Sequence, residues 1–292
     1  MIFFYRFFTF SLLCLLLASA KPAGITGPPQ TRDIVVKMIS AIQQHRGCQF
    51  TMKSYERFKG QKNLIYNEFY MKVMVSPTKV YSKVLSEKNK GTELLYEKGV
   101  RDGKILVNAG KMLPNLKLSP YSSMLTKDQH HTMLSAGFSI ISRLVGDAIK
   151  KADQQNRFQD VFRFAGEGTF QNRACWKITI DDPTYKLTTH GCQKGDNIYT
   201  VALRLLVPEY SMVELNDWVK NFETDLSGKQ IQVPSAYAKK TVLWIDQETF
   251  FPLVQEVYDE RGLFEKYEYY NLQINPKFAE DEFSDDFKEY NF

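Results

Sequence analysis

The chain has 292 residues, of which 43% are hydrophobic and 24% charged, a composition of one large globular domain or two moderate ones and not of a disordered polymer. Its net charge of +5 is mild and unclustered, which argues against nucleic acid as a partner and leaves at most a weak attraction to an anionic cell wall. Phe (21) and Tyr (16) are numerous, and both favour sheets.

Residues 1–20 read as a secretory signal. Arg6 precedes the apolar run Phe7–Leu17, and Ala18-Ser19-Ala20 is a small-x-small cleavage site. The run is short for a membrane span. Leu13 precedes Cys14 where a lipoprotein signal carries a small residue, so the sequence predicts a soluble exported protein of the periplasm or cell envelope. Cys48, Cys175 and Cys192 follow the signal. Export permits oxidation, so a Cys175–Cys192 bridge stands beside the plainer reading of buried free thiols. No CxxC pair occurs, which argues against thioredoxin-like chemistry or a zinc knuckle.

Residues 21–30, rich in Pro and Gly, form a linker. Ile34, Val35, Met38 and Ile42 then recur at helical spacing, with Gly47 as the expected helix end. Strands follow. Cys48, Phe50 and Met52 alternate with polar residues. Phe69, Met71 and Val73 alternate with Tyr70, Lys72 and Met74. Leu94–Glu97 and Lys104–Val107 form a hairpin through Asp102-Gly103. After a mixed stretch at 109–135, Phe138, Ile141, Leu144, Val145, Ala148 and Ile149 form the stripe of an amphipathic helix that covers one sheet face. Strands resume at Phe162–Phe170 and Cys175–Ile180, and again at Thr241–Ile245, Leu253–Tyr258 and Leu263–Ile274. The aromatics of the tail, Phe283, Phe287, Tyr290 and Phe292, predict that it packs against the body. A sheet of nine or ten antiparallel strands must curl or split. A curled sheet under helices leaves room for an apolar hollow. Met71, Val73, Met74, Phe138, Ile141 and Leu144 are the expected lining, with ordinary core packing as the alternative for each.

Between these strands, Lys194-Gly195-Asp196 opens one short helical pattern, Pro208–Asn216 a second, and Gly228–Pro234 a loop and strand. Residues 185–234 resemble a LysM module, which binds the N-acetylglucosamine-containing glycans of peptidoglycan or chitin. The resemblance implies a glycan groove at Gly195, Asp196, Asn197, Ile198, Gly228, Lys229, Gln230 and Ile231. Asp196 is expected to cap the helix that starts at Asn197. Asn197 departs from the usual Thr, and the 216–228 connection is long for the family. The flanks, with Trp244-Ile245-Asp246, Pro252-Leu253, Tyr258–Leu263 and Tyr267-Glu268-Tyr269, resemble the closing hairpins of LolA-like proteins, the periplasmic lipoprotein-carrier relatives. Together these resemblances imply an α+β fold. A curled antiparallel half-barrel sheet with a helical lid (residues 31–183 and 235–292) would carry a small βααβ module inserted at 185–234.

No G-x-S-x-G, H-E-x-x-H or phosphate loop is present. His130-His131 reads as polar surface or a helix start, since adjacent helical residues suit one metal poorly. Asp181-Asp182 precedes Pro183 as a turn, and Asp285-Asp286 lies in the acidic tail. The sequence therefore predicts a non-enzymatic envelope protein, with no cofactor and no metal. It would associate with peptidoglycan and hold a lipid, lipoprotein or acylated ligand. A structural cell-wall adaptor for another protein and a cell-wall hydrolase are the alternatives.

Overall fold

The computed structural model describes residues 30–110 and 113–292. The expected secretory signal at 1–20 and nearly all of the expected linker at 21–30 lie outside the described residues. Helix α1 (Thr31–Gln44) buries Ile34, Val35, Met38 and Ile42, the stripe its spacing predicts. It stops at Gln44, and Gly47 instead begins β1 (Gly47–Glu56). Glycine is required at 47 by close approach, because a Cβ there would lie 2.8 Å from the Val73 carbonyl oxygen.

Strands β2 (Ile65–Met74), β3 (Lys79–Val84), β4 (Glu93–Glu97), β5 (Ile105–Asn108) and β6 (Leu116–Leu118) form an antiparallel meander beside β1. A single helical turn, α2 (Ser123–Thr126), precedes the long α3 (Ser139–Gln154), and a second turn, α4 (Phe158–Val161), leads into β7 (Phe162–Phe170) and β8 (Arg173–Asp181). The chain then makes β9 (Leu187–Gly191), α5 (Ile198–Leu205), α6 (Glu209–Leu215) and β10 (Gln230–Pro234) before β11 (Lys240–Asp246), β12 (Pro252–Asp259) and β13 (Gly262–Ile274). Eleven strands join one sheet in the order β6-β5-β4-β3-β2-β1-β13-β12-β11-β8-β7, one or two more than the sequence suggested. Register shifts interrupt the β1–β13, β11–β12, β12–β13 and β7–β8 ladders. Such bulges sharpen the local twist and bend a wide sheet.

The sheet's two faces are covered differently. On one, α1 and α3 close over Phe50, Val73, Ile178, Leu243 and Ile245, with Phe138 fully buried among them. On the other, the C-terminal residues cover Tyr81, Leu95 and Leu106, where the Tyr290 ring stacks on Tyr81 at 3.7 Å. Lys72 is buried beneath this tail, paired with Glu282 at 2.7 Å.

Strands β9 and β10 pair with each other, apart from the large sheet, so residues 187–234 have the order βααβ. The unit leaves and re-enters the sheet at one place, because Asp181 of β8 lies opposite Lys240 of the neighbouring β11. Its core of Ile198, Val201, Met212, Leu226 and Ile231 is continuous with Phe58, Val257 and Phe264 of the sheet region. Asn216 ties α6 to β10, donating to the carbonyls of Met212 (2.8 Å) and Gln232 (2.9 Å) and accepting from the Gln232 amide. Asp196 is not the helix cap. Asn197 is, in a reciprocal capping box with Thr200. Asp196 is instead buried against Arg204, at 2.6 and 2.9 Å.

Cys48, Cys175 and Cys192 are all buried and free, so the Cys175–Cys192 bridge does not form. Cys175 lies in β8, whereas Cys192 follows β9 in the βααβ unit, and they belong to different elements. Burial pushes the Cys48 thiol up to about 12 and that of Cys175 up to about 11, away from reactive thiolate. No helix among the described residues is long and apolar enough to cross a membrane.

Candidate functional site: an apolar cavity with a polar end

Between the sheet and α3 lies a cavity of about 430 Å³. Its floor is Met52 of β1, Phe69 and Met71 of β2, and Ile105 and Val107 of β5. These residues fall on one face because side chains alternate along a strand. Ile140, Ile141 and Leu144 of α3 form the roof. The third wall comes from the βααβ unit, through Ala202, Leu203, Leu206 and Val207. A smaller hollow of about 130 Å³ continues beneath the C-terminal half of α3, sharing Ile141, Leu144, Leu206, Tyr237 and Gln255 with the first.

Three of the six residues expected to line a hollow, Met71, Ile141 and Leu144, do so. Val73 and Phe138 are spent in solid packing instead, where Phe138 meets Phe50, Phe251 and Tyr269 edge-on or tilted. Met74 lies on the opposite face, under the C-terminal tail, because it is odd-numbered steps from Met71 and Val73 along β2.

At one end of the cavity the apolar lining gives way to Glu56, His131, Glu209, Tyr237, Tyr267 and Tyr269. Glu265, fully buried behind them, is the hub. Its Oε1 accepts from the Tyr237 hydroxyl at 2.6 Å. Its Oε2 receives His130 Nδ1 at 2.8 Å and His131 Nε2 at 3.2 Å, and lies 3.2 Å from the Tyr267 hydroxyl oxygen. His131 Nδ1 reaches the Glu209 carboxylate, whose other oxygen accepts from Ser135 Oγ at 2.7 Å. Glu56 accepts from the Tyr267 hydroxyl at 2.6 Å and from the His130 amide at 3.2 Å. His130 Nε2 donates to the Arg57 carbonyl at 2.8 Å, which fixes a proton on that nitrogen.

The electrostatics follow from this sharing. Burial opposes ionisation of Glu265, but His131 and His130 outweigh it and hold the carboxyl well below the usual range. Burial likewise opposes charging His131, but the carboxylates of Glu209 and Glu265 outweigh it and raise its affinity for a proton. Burial pushes the Glu56 carboxyl up. Burial and the adjacent carboxylates keep Tyr237 and Tyr267 protonated.

The histidine pair is therefore not polar surface. His130 is 0% exposed, stacked on Tyr210 and packed against Phe58 and Phe264. The carboxylates that hold the pair come from residues 56, 209 and 265, which local sequence does not bring near 130. Two groupings among the described residues have metal-ligand chemistry. The donor atoms of Glu56, His130 and Glu265 lie within 4.8 Å of one another, as do those of His190, Cys192 and Asp196. The first is already closed by internal hydrogen bonds, and in the second Asp196 is occupied by Arg204.

Of the residues implied as a glycan groove, Gly195, Gly228, Lys229 and Gln230 are exposed and Asn197 is half-buried. Gly195 (φ +84°) donates its amide to Ser227 Oγ at 2.8 Å, which joins the two loops that carry them. Ile198 and Ile231 are buried in the unit's core, and the Asp196 carboxylate is committed to Arg204.

A family model of proteins of unknown function, DUF1571, matches residues 45–194 and 218–292. The chain belongs to that family. The DUF1571 match spans Glu56, the histidine pair, Tyr237, Glu265 and Tyr267, and passes over 195–217, which holds α5, α6 and Glu209. No curated protein matches the chain. Among solved structures, the lipoprotein LppX of Mycobacterium tuberculosis is 9% identical, with a TM-score of 0.41 over 87% of this chain and 99% of that one. LprF of Mycobacterium bovis is 11% identical, with a TM-score of 0.41 over 86% and 96%. An uncharacterised conserved protein of Thermus thermophilus is 7% identical, with a TM-score of 0.38 over 86% and 91%. Likenesses this loose carry nothing further about this DUF1571 chain.

Proposed function

We propose that this protein is an exported, non-catalytic binding protein of the periplasm or cell envelope that holds a lipid or acylated ligand beneath α3. The cavity carries the proposal. Its volume of about 430 Å³ falls within the size of small-molecule sites, and its lining is mostly apolar with a few convergent polar groups. Its walls come from the sheet, the segment between β6 and α3, α3 itself and the βααβ unit, so the chain invests four separate regions in enclosing it. The test is organic extraction and mass spectrometry of the purified mature chain, beside Leu144→Trp, which fills the roof. A lipid released by the parent and absent from the variant, with the melting temperature preserved, is the expected result. A parent that carries no lipid, and takes none from mixed vesicles, refutes it.

The βααβ order, with the Gly195 and Gly228 loops hydrogen-bonded side by side, favours a second role for the same chain: association with peptidoglycan glycan through exposed Gly195, Gly228, Lys229 and Gln230 and half-buried Asn197. Sedimentation with insoluble peptidoglycan should recover the parent and recover less of a Lys229→Ala/Gln230→Ala variant. Equal recovery of both, or of neither, leaves the unit with only its wall-forming role.

A further inference from the structure

We infer that the polar end of the cavity selects a ligand whose head is a hydrogen-bond donor, a hydroxyl or an amine, and rejects a carboxylate or a phosphate. This rests on the reading of the cavity as a lipid site and names the chemistry that site prefers.

Three observations point the same way. First, two buried carboxyl groups face this end and a third backs it. Glu56 and Glu209 line the cavity and Glu265 stands directly behind, all three nearly or fully buried. Each carboxylate oxygen has two lone-pair directions, and the internal network leaves some of them unfilled at Glu209. Second, the histidines here are already engaged. His131 is held between Glu209 and Glu265, and His130 between Glu265 and the Arg57 carbonyl. No arginine lines the cavity, and the two lysines that border it, Lys88 and Lys127, are exposed, with Lys88 paired to Asp128. Third, the hydroxyl protons of Tyr237 and Tyr267 are spent inward, on Glu265 and Glu56, and leave neither to meet an anion.

A hydroxyl or ammonium head donates into the free lone pairs of Glu209. An anionic head at the same place meets buried carboxylates and no free cation, and burying a charge uncompensated is strongly unfavourable. Its only cations are at the solvent-exposed rim, where attraction is screened.

The experiment is displacement of the neutral fluorophore N-phenyl-1-naphthylamine by hexadecanol, hexadecylamine and palmitate in turn, at pH 7.5. The alcohol and the amine should compete at least about tenfold more tightly than the acid, a ratio that corresponds to ~1.4 kcal/mol. Glu209→Gln removes a facing charge and should narrow that ratio. Ser135→Ala, which frees a lone pair of Glu209, should tighten the alcohol and leave the acid unchanged, and it keeps the test open should the first variant fail to fold. Palmitate binding as tightly as the alcohol overturns the head-group inference while leaving the lipid site intact. No displacement by any of the three overturns the lipid site itself.

Discussion

His131 is the side chain on which three parts of the chain meet. It sits between α2 and α3, with Glu209 of α6 on one nitrogen and Glu265 of β13 on the other, while the Tyr237 hydroxyl adjoins its Nε2 at 3.0 Å. Protonated, it bridges two carboxylates across the end of the cavity. The consequence for stability has two limbs. Glu265 is held below its ordinary 4.5, so its contribution is present above that value and is lost as the pH falls through the lowered one. His131 is held above its ordinary 6.5, so its contribution is full below that value and is lost as the pH rises through the raised one. The two overlap between about pH 4.5 and 6.5, and the melting temperature should peak there. His131→Gln should cost about 3 kcal/mol at pH 5.5, the scale for breaking a buried pair, and should flatten the alkaline limb. Urea denaturation of both proteins from pH 4 to pH 9 checks this. A variant with the same alkaline slope as the parent would assign that limb to another group.

At the scale of elements, what was readable in the sequence was what repeats locally. The i, i+3, i+4 stripes of α1 and α3 and the alternation of β1, β2 and β13 each report a local environment, and the helices and strands lie close to where those periods placed them. The two short helices of the βααβ unit were legible for the same reason, with Asn197 and Pro208 at their starts. What was not legible depends on partners far along the chain. Phe138 and Leu144 look alike as members of one stripe, yet Phe138 meets Phe50 and Phe251 while Leu144 faces a hollow. Glu56, His130, Glu209, Tyr237 and Glu265 converge only through the order of the sheet and the return of the inserted unit. One signal was available. Glu265 precedes Tyr267 and Tyr269 at a spacing of two, which places a carboxylate on the inward face of an otherwise apolar strand. Glu56 ends β1 in the same way, after Met52 and Ser54. Two inward carboxylates on paired strands, Glu56 opposite Glu265 in the register, ask for compensating buried donors, and a histidine pair is a natural supply.

Across the whole molecule, the inserted βααβ unit does two things that pull on its design. Its exposed loops face solvent, while α5 and the start of α6 complete the cavity wall and supply Glu209 to the cluster. Because Asp182 and Lys239 are still joined by a backbone hydrogen bond of 2.8 Å, residues 183–238 can be replaced by Asn-Gly, the two-residue turn that suits a hairpin between β8 and β11. The replacement uncovers Phe58, Val257 and Phe264, at about 1.5–3 kcal/mol each. That loss is a large share of a domain's stability, so a point variant is needed beside it. Leu203 lines the cavity and is only half-buried, and Leu203→Asp places a charge in the wall without touching the sheet. If the unit is a wall of the ligand site, this variant should melt within a few degrees of the parent and bind the displaced fluorophore at least about tenfold more weakly, since the cost of a charge against an apolar ligand exceeds ~1.4 kcal/mol. Undiminished binding by Leu203→Asp would detach the βααβ unit from the cavity, and would leave the sheet, α3 and the segment between β6 and α3 to hold the ligand alone.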